Sequence, residues 1–150
     1  MKTLEDYLAG SDDSFSKLTS LATAIQSRID RSGLNAWGSP DSQLDNVSTW
    51  EERAIIRLVS FYCSCSNSGR VYPCLDEGLA LVPEFEAVGA ATTIKALREL
   101  DQLQKTEPDL EECEGRIEIE NQVPGDFEWA APILEYVRKH RDRFFQHEVA

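Results

Sequence analysis

No stretch of this chain runs apolar for the roughly 18 residues that a membrane-crossing helix needs. The first residues, MKTLEDYLAGSDDSF, carry acids where a secretory signal requires an apolar core, so the expected compartment is the cytosol. No GxSxG nucleophile elbow, P-loop or GxGxxG dinucleotide turn is present. Histidine is nearly missing: His140 and His147 are the only two. The four cysteines (Cys63, Cys65, Cys74 and Cys113) form no CxxC pair, and the single residue between Cys63 and Cys65 does not suit a zinc knuckle. Without a secretion signal they read as reduced, small, buried or half-buried hydrophobes. Cys63 or Cys65 with His140 as base has the residue types of a nucleophilic pair, but His140 lies in RKHRDR and reads as part of a solvated helix face. These absences point to a protein that is not an enzyme and takes no cofactor.

Basic residues are also scarce. Fifteen Lys and Arg face 27 Asp and Glu, a formal net charge of −12. Phosphate contacts require Lys and Arg, so the balance argues against direct nucleic-acid binding and against anionic membranes. It favours a cationic partner, or simple solubility.

What is present is a globular composition, 41% hydrophobic and 28% charged, at a length of 150 residues that suits one domain. Phe15, Leu18, Leu21, Ala22, Ile25 and Ile29 recur at helical spacing and predict a helix over about 12–31, capped by Ser11 or Asp12 and stopped at Gly33. LNAWGSPDSQLDNV reads as loop. Ser48 and Glu51 have capping-box spacing at the head of STWEERAIIRLVSFYCSCS, whose broad apolar face (Ile55, Ile56, Leu58, Val59, Tyr62, Cys63) predicts a central helix. Further helices are expected over about 73–81 and 91–104, and a last one from Gly125 or Asp126 through WAAPILEYVRKHRDRFF, with Trp129, Ile133, Val137 and Phe144 inward. The expected fold is all-α, one domain of about five to six helices over residues 1–150, with an N-terminal helix and loop over 1–49.

The acids are not spread evenly. Residues 1–50 carry a net −3, residues 51–100 a net −2 and residues 101–150 a net −7. Within the last third, Glu107–Glu128 (EPDLEECEGRIEIENQVPGDFE) holds nine acids against Arg116 alone, a net −8 over 22 residues. Ile117 and Ile119 alternate with Glu118 and Glu120, which suggests a short strand or extended piece. The order of acids lacks the ligand spacing and central glycine of an EF-hand loop. General acid–base work needs one specific pair of carboxylates in a cleft, which 27 acids do not single out. A metal-dependent enzyme would show itself by tight divalent-metal binding. The plain alternative is a solvated loop whose charge keeps the protein dissolved.

Three segments carry a resemblance. ERAIIRLVSFYCSCSNSG is an apolar helix running into an Asn-Ser-Gly turn; FEAVGAATTIKALREL sets Val88-Gly89-Ala90 before a helix containing Ala96-Leu97; ILEYVRKHRDRFF has a Tyr136, His140, Phe144 rhythm. In this order they resemble the small acidic bacterial DNA-mimic proteins of the DMP type, formerly a domain of unknown function, over roughly residues 50–145. The resemblance implies an all-α homodimer whose acidic surface imitates duplex DNA and sequesters a basic DNA-binding protein, such as a transcriptional repressor. An immunity or antitoxin protein neutralising a basic toxin would use the same charge complementarity. The acids expected to form the partner-binding surface are Glu107, Asp109, Glu111, Glu112, Glu114, Glu118 and Glu120. Glu107, Glu111 and Glu114 would align if helical, at about 5–6 Å intervals. Asp12, Asp13, Glu51, Glu52, Asp126 and Glu128 read first as helix-dipole partners. Trp37, in its loop, is a candidate interface aromatic, as is the helix from residue 50 to 64 for a dimer seam.

Overall fold

The computed structural model describes residues 2–147. Among these residues it is all-helical, with nine α-helices, two 3-10 turns and no strand. Five to six helices is therefore too low a count. The additional ones are short, from four to seven residues, and fall in segments whose periodicity is too brief to register. No helix among the described residues is long and apolar enough to cross a membrane.

The chain divides into two compact units, Met1–Val59 with Ala130–Ala150, and Ser60–Trp129. The first unit contains α1 (Leu4–Leu8), α2 (Ser14–Arg31), α3 (Asp41–Leu44), the opening turns of α4 (Trp50–Ser68) and α9 (Ala130–Lys139). Helix α2 is capped by Asp13, whose carboxylate accepts the Ser16 N–H at 2.7 Å and is held below the usual carboxylate range by that bond. Its Leu18, Leu21, Ala22, Ile25 and Ile29 are buried as the period requires, while α1 and α9 pack against it. Each such side chain contributes about 1.5–3 kcal/mol by leaving water. Ile133, Val137 and Phe144 are buried, although α9 begins four residues later than Asp126 and ends before Phe144.

The capping box of α4 lies one residue beyond the expected frame. Thr49, not Ser48, is the cap: its Oγ1 accepts the Glu52 N–H at 3.2 Å, and Glu52 Oε1 accepts the Thr49 N–H at 2.9 Å. Ser48 instead donates its hydroxyl to the Leu44 carbonyl. The Glu52 side chain is fully buried, pairs with Arg28 of α2 through Oε2, and accepts the Phe145 N–H at 3.1 Å. The Thr49 hydroxyl donates to the Arg143 carbonyl at 2.7 Å. One carboxylate thereby joins α2, the start of α4 and the segment after α9.

The second unit holds the rest of α4, a 3-10 turn at Tyr72–Cys74, α5 (Leu75–Ala80), α6 (Val82–Ala87), α7 (Ala91–Thr106) and α8 (Glu114–Glu120). Helix α7 packs against α5, α6 and α8. Phe61 and Tyr62 of α4 meet Phe85 of α6 edge-to-face at 5.2 and 5.8 Å, and Tyr62 stacks on Trp129 at 4.9 Å. Gly78 lets α5 close on this cluster: a Cβ there would stand 2.7 Å from Phe61 and 2.8 Å from Leu97. The Tyr62 hydroxyl, within 2.8 Å of the Thr93 hydroxyl, is pushed up to about 12 by burial.

Two tests follow from these contacts. Glu52→Ala takes one acceptor from a buried guanidinium and two backbone N–H groups, so urea unfolding should show a loss of about 3–5 kcal/mol. Tyr62 keeps its proton more tightly folded than unfolded, where it titrates near 10. The stabilisation is complete below pH 10 and is lost as pH rises from about 10 to 12. Unfolding curves across that window should fall more gently for Tyr62→Phe than for the parent.

Candidate functional site

The acidic segment leaves α7 without continuing its helix. Glu107 is the C-cap, its N–H donating to the Leu103 carbonyl at 2.9 Å, and residues 107–113 are non-helical. Asp109 Oδ1 accepts the Glu111 N–H at 3.0 Å, a local turn of the kind Asp favours. Leu110 is buried and anchors that turn. The row Glu107, Glu111, Glu114 therefore does not form on one helix face.

Helix α8 forms where the Ile-Glu alternation suggests an extended piece. Arg116 and Glu120, four residues apart, pair side chain to side chain, a contact that helical spacing provides and a strand does not. Ile119 lies at the groove between α8 and α7, and Ile117 is 52% exposed. Glu114 and Glu118 are also four apart, and both are exposed. Their spacing along the helix is the 5–6 Å that the expected row required.

Glu120 is not displayed. Its side chain is 9% exposed and accepts the Tyr72 N–H at 2.8 Å, the Val71 N–H and the Arg116 guanidinium. It thus ties α8 to the turn after α4. Arg116, itself buried, lies over the Tyr72 ring at 5.0 Å. Glu111 is exposed but pairs with Arg70 at 2.6 Å, and Arg70 also donates to the Tyr72 hydroxyl.

Five of the seven candidate acids remain as a displayed set. Glu107, Asp109, Glu112, Glu114 and Glu118 are exposed and make no ion pair among the described residues. Arg116, the only base in the segment, is turned inward and does not dilute them at the surface. Arg70 is the participant missed in sequence, since nothing in its spacing marks it as the partner of a residue 41 positions later. Asp126 and Glu128 are exposed and precede α9, with Asp126 at a positive φ of 50°, so a place in that helix's first turn does not account for Asp126.

Among the described residues no three His, Cys, Asp or Glu side chains converge as metal ligands. All four cysteines are free thiols. Burial pushes the Cys63, Cys65 and Cys74 thiols up, the opposite of what an activated nucleophile needs. His140 Nδ1 lies 2.9 Å from the Tyr136 carbonyl and its ring lies tilted against Tyr136. Trp37 is 52% exposed, in a loop pinned by Asn35. No family model, curated protein or solved structure matches the chain.

Acids of one chemical type should divide sharply in their effect on stability. Glu120→Ala removes the acceptor of a buried guanidinium and two backbone N–H groups and should cost roughly 2–4 kcal/mol in urea unfolding. Glu112→Gln should leave the midpoint unchanged within error, as exposed positions do.

Proposed function

We propose that this protein is a binding module of the DNA-mimic kind, presenting an acidic face to a basic DNA-binding protein, such as a transcriptional repressor, and blocking its access to DNA. The observation that carries the reading is the displayed set of five carboxylates between Glu107 and Glu118, with the segment's own base turned inward. Duplex DNA offers about one negative charge per 1.7 Å of axis, and a protein face evolved to meet it carries Lys and Arg in matching density. A mimic must hold its charges on a fixed support. Here the Glu120–Arg116 clamp and the buried Leu110 hold the backbone that carries them. The resemblance of residues 50–145 to the acidic mimic family points the same way. Complementary charge steers encounter and selects the partner more than it sets affinity.

The test has two stages. Low-salt capture from host lysate, followed by a salt step, should release a basic DNA-binding protein, and the purified pair should compete with operator DNA. A captured toxin enzyme that loses its activity would move the reading to immunity. With the partner in hand, replacing Glu112, Glu114 and Glu118 together by Gln should weaken binding about tenfold or more and flatten its salt dependence. Unchanged affinity in that variant, with an unchanged unfolding midpoint, would remove this segment from the interface.

A further inference from the structure

Beside the clamp, the second unit opens a pocket of about 480 Å³, within the range of small-ligand sites. Its lining includes Tyr62, Ser66, Arg70, Glu120, Asp126 and Phe127. Two of its charges are already committed: Arg70 pairs with Glu111, and Glu120 with Arg116 and two backbone N–H groups. Asp126 is exposed and has no ion pair among the described residues. The lining therefore carries one carboxylate without an ion pair among the described residues, next to aromatic surface.

The backbone that presents Asp126 and its neighbour is unusual. Glu128 N–H donates to the Gly125 carbonyl at 2.9 Å, closing a turn whose two central residues, Asp126 and Phe127, have φ of 50° and 62°. Turns with both central φ positive normally take Asn-Gly or Asp-Gly. Aspartate tolerates this region, but a phenylalanine there is strained where glycine would not be. The turn nevertheless places a Phe ring, 46% exposed, in the lining of the pocket, edge-to-face with Trp129 at 6.3 Å. Strain of this kind persists where surrounding structure enforces it, and it accompanies binding sites more often than chance.

We propose that this pocket receives one arginine side chain of the basic partner, the guanidinium meeting the Asp126 carboxylate and stacking against Phe127. The inference rests on the partner-binding reading above for the source of the arginine, not for the chemistry of the pocket. A planar guanidinium suits both contacts, because it can bond a carboxylate through two N–H groups and lie flat on a ring. Placed beside the displayed acids, such a pocket would supply a fixed anchor to a surface that otherwise attracts by charge alone.

The experiment titrates the full chain with N-acetyl-arginine methylamide, followed by amide chemical shifts in NMR. The control is N-acetyl-citrulline methylamide, a neutral ligand of nearly the same shape. Arginine should move the signals of Ser66, Asp126 and Phe127, and citrulline should not. Asp126→Asn, which keeps a residue at home in positive φ, should bind about tenfold more weakly. Phe127→Leu, equally strained but without a ring, should also weaken binding. Equal shifts with citrulline, unchanged binding in Asp126→Asn, or shifts centred on Glu112, Glu114 and Glu118 would overturn the proposal. The variant with those three acids replaced by Gln should still bind the single arginine. Loss of partner binding in that variant while the arginine shifts persist separates the two readings, and failure of the arginine titration leaves the acidic face standing alone.

Discussion

A carboxylate taken out of water is costly unless donors surround it, and the first unit is organised around one such group. Glu52 is wholly buried and receives the Arg28 guanidinium, the N–H of its own helix cap and the N–H of Phe145. Each donor comes from a different part of the chain: helix α2, the residue before α4, and the stretch beyond α9. Leu18, Leu21, Ile25 and Ile133 supply the apolar burial, but hydrophobic contact has no direction and cannot fix which segments close the unit. The carboxylate can, because only one arrangement satisfies all of its donors. Glu120 repeats the device in the second unit, taking a guanidinium and the consecutive N–H groups of Val71 and Tyr72.

This use of two glutamates divides a large negative charge into two populations. Some acids are internal fasteners whose charge is met inside the protein. Others (Glu107, Glu112, Glu114 and Glu118) are exposed and make no ion pair among the described residues, and Asp109 adds its charge while bracing its own turn. Had Arg116 pointed outward, the segment would carry a mixed surface. Its inward position, over Tyr72 and against Glu120, leaves Arg70, paired with Glu111, as the exposed base beside these acids. Fold and charge pattern thus share the same residues, and the clamp that shapes α8 also keeps the segment's own base off the face it displays.

Long periodic stretches were legible in the sequence. The inward faces of α2, α4 and α7 follow from 3.6-residue spacing alone, and residue positions such as Ile25, Leu58 and Leu97 are buried accordingly. The capping frame of α4 was not, because Ser48-Thr49 and Glu51-Glu52 offer two boxes offset by one residue. Tertiary contact favours the second, since Thr49 bonds the Arg143 carbonyl and Glu52 takes the Phe145 N–H, while Glu51 meets only the Arg143 side chain. Likewise, Ile117-Glu118-Ile119-Glu120 alternates as a strand would, and only the Arg116–Glu120 pair argues for helix. Within the acidic segment, Glu120 is chemically indistinguishable from Glu118. What separates them is a pair of N–H groups nearly fifty residues earlier, which no local pattern encodes. Leu110, a lone apolar residue among acids, was the available sign that the segment is anchored and not free along its length.

The second unit is a single continuous run, Ser60–Trp129, inserted between the two parts of the first. A chain made from its N-terminus onward therefore has every residue of the inserted unit before α9 exists. Glu52 leaves the ribosome long before its partner at Phe145, 93 residues later. During that interval the inserted unit can settle on its own short-range contacts. The order of synthesis makes closure of the first unit wait for α9 and the residues that follow it. A pause or truncation before α9 would leave helix α2 without the helix that packs against it.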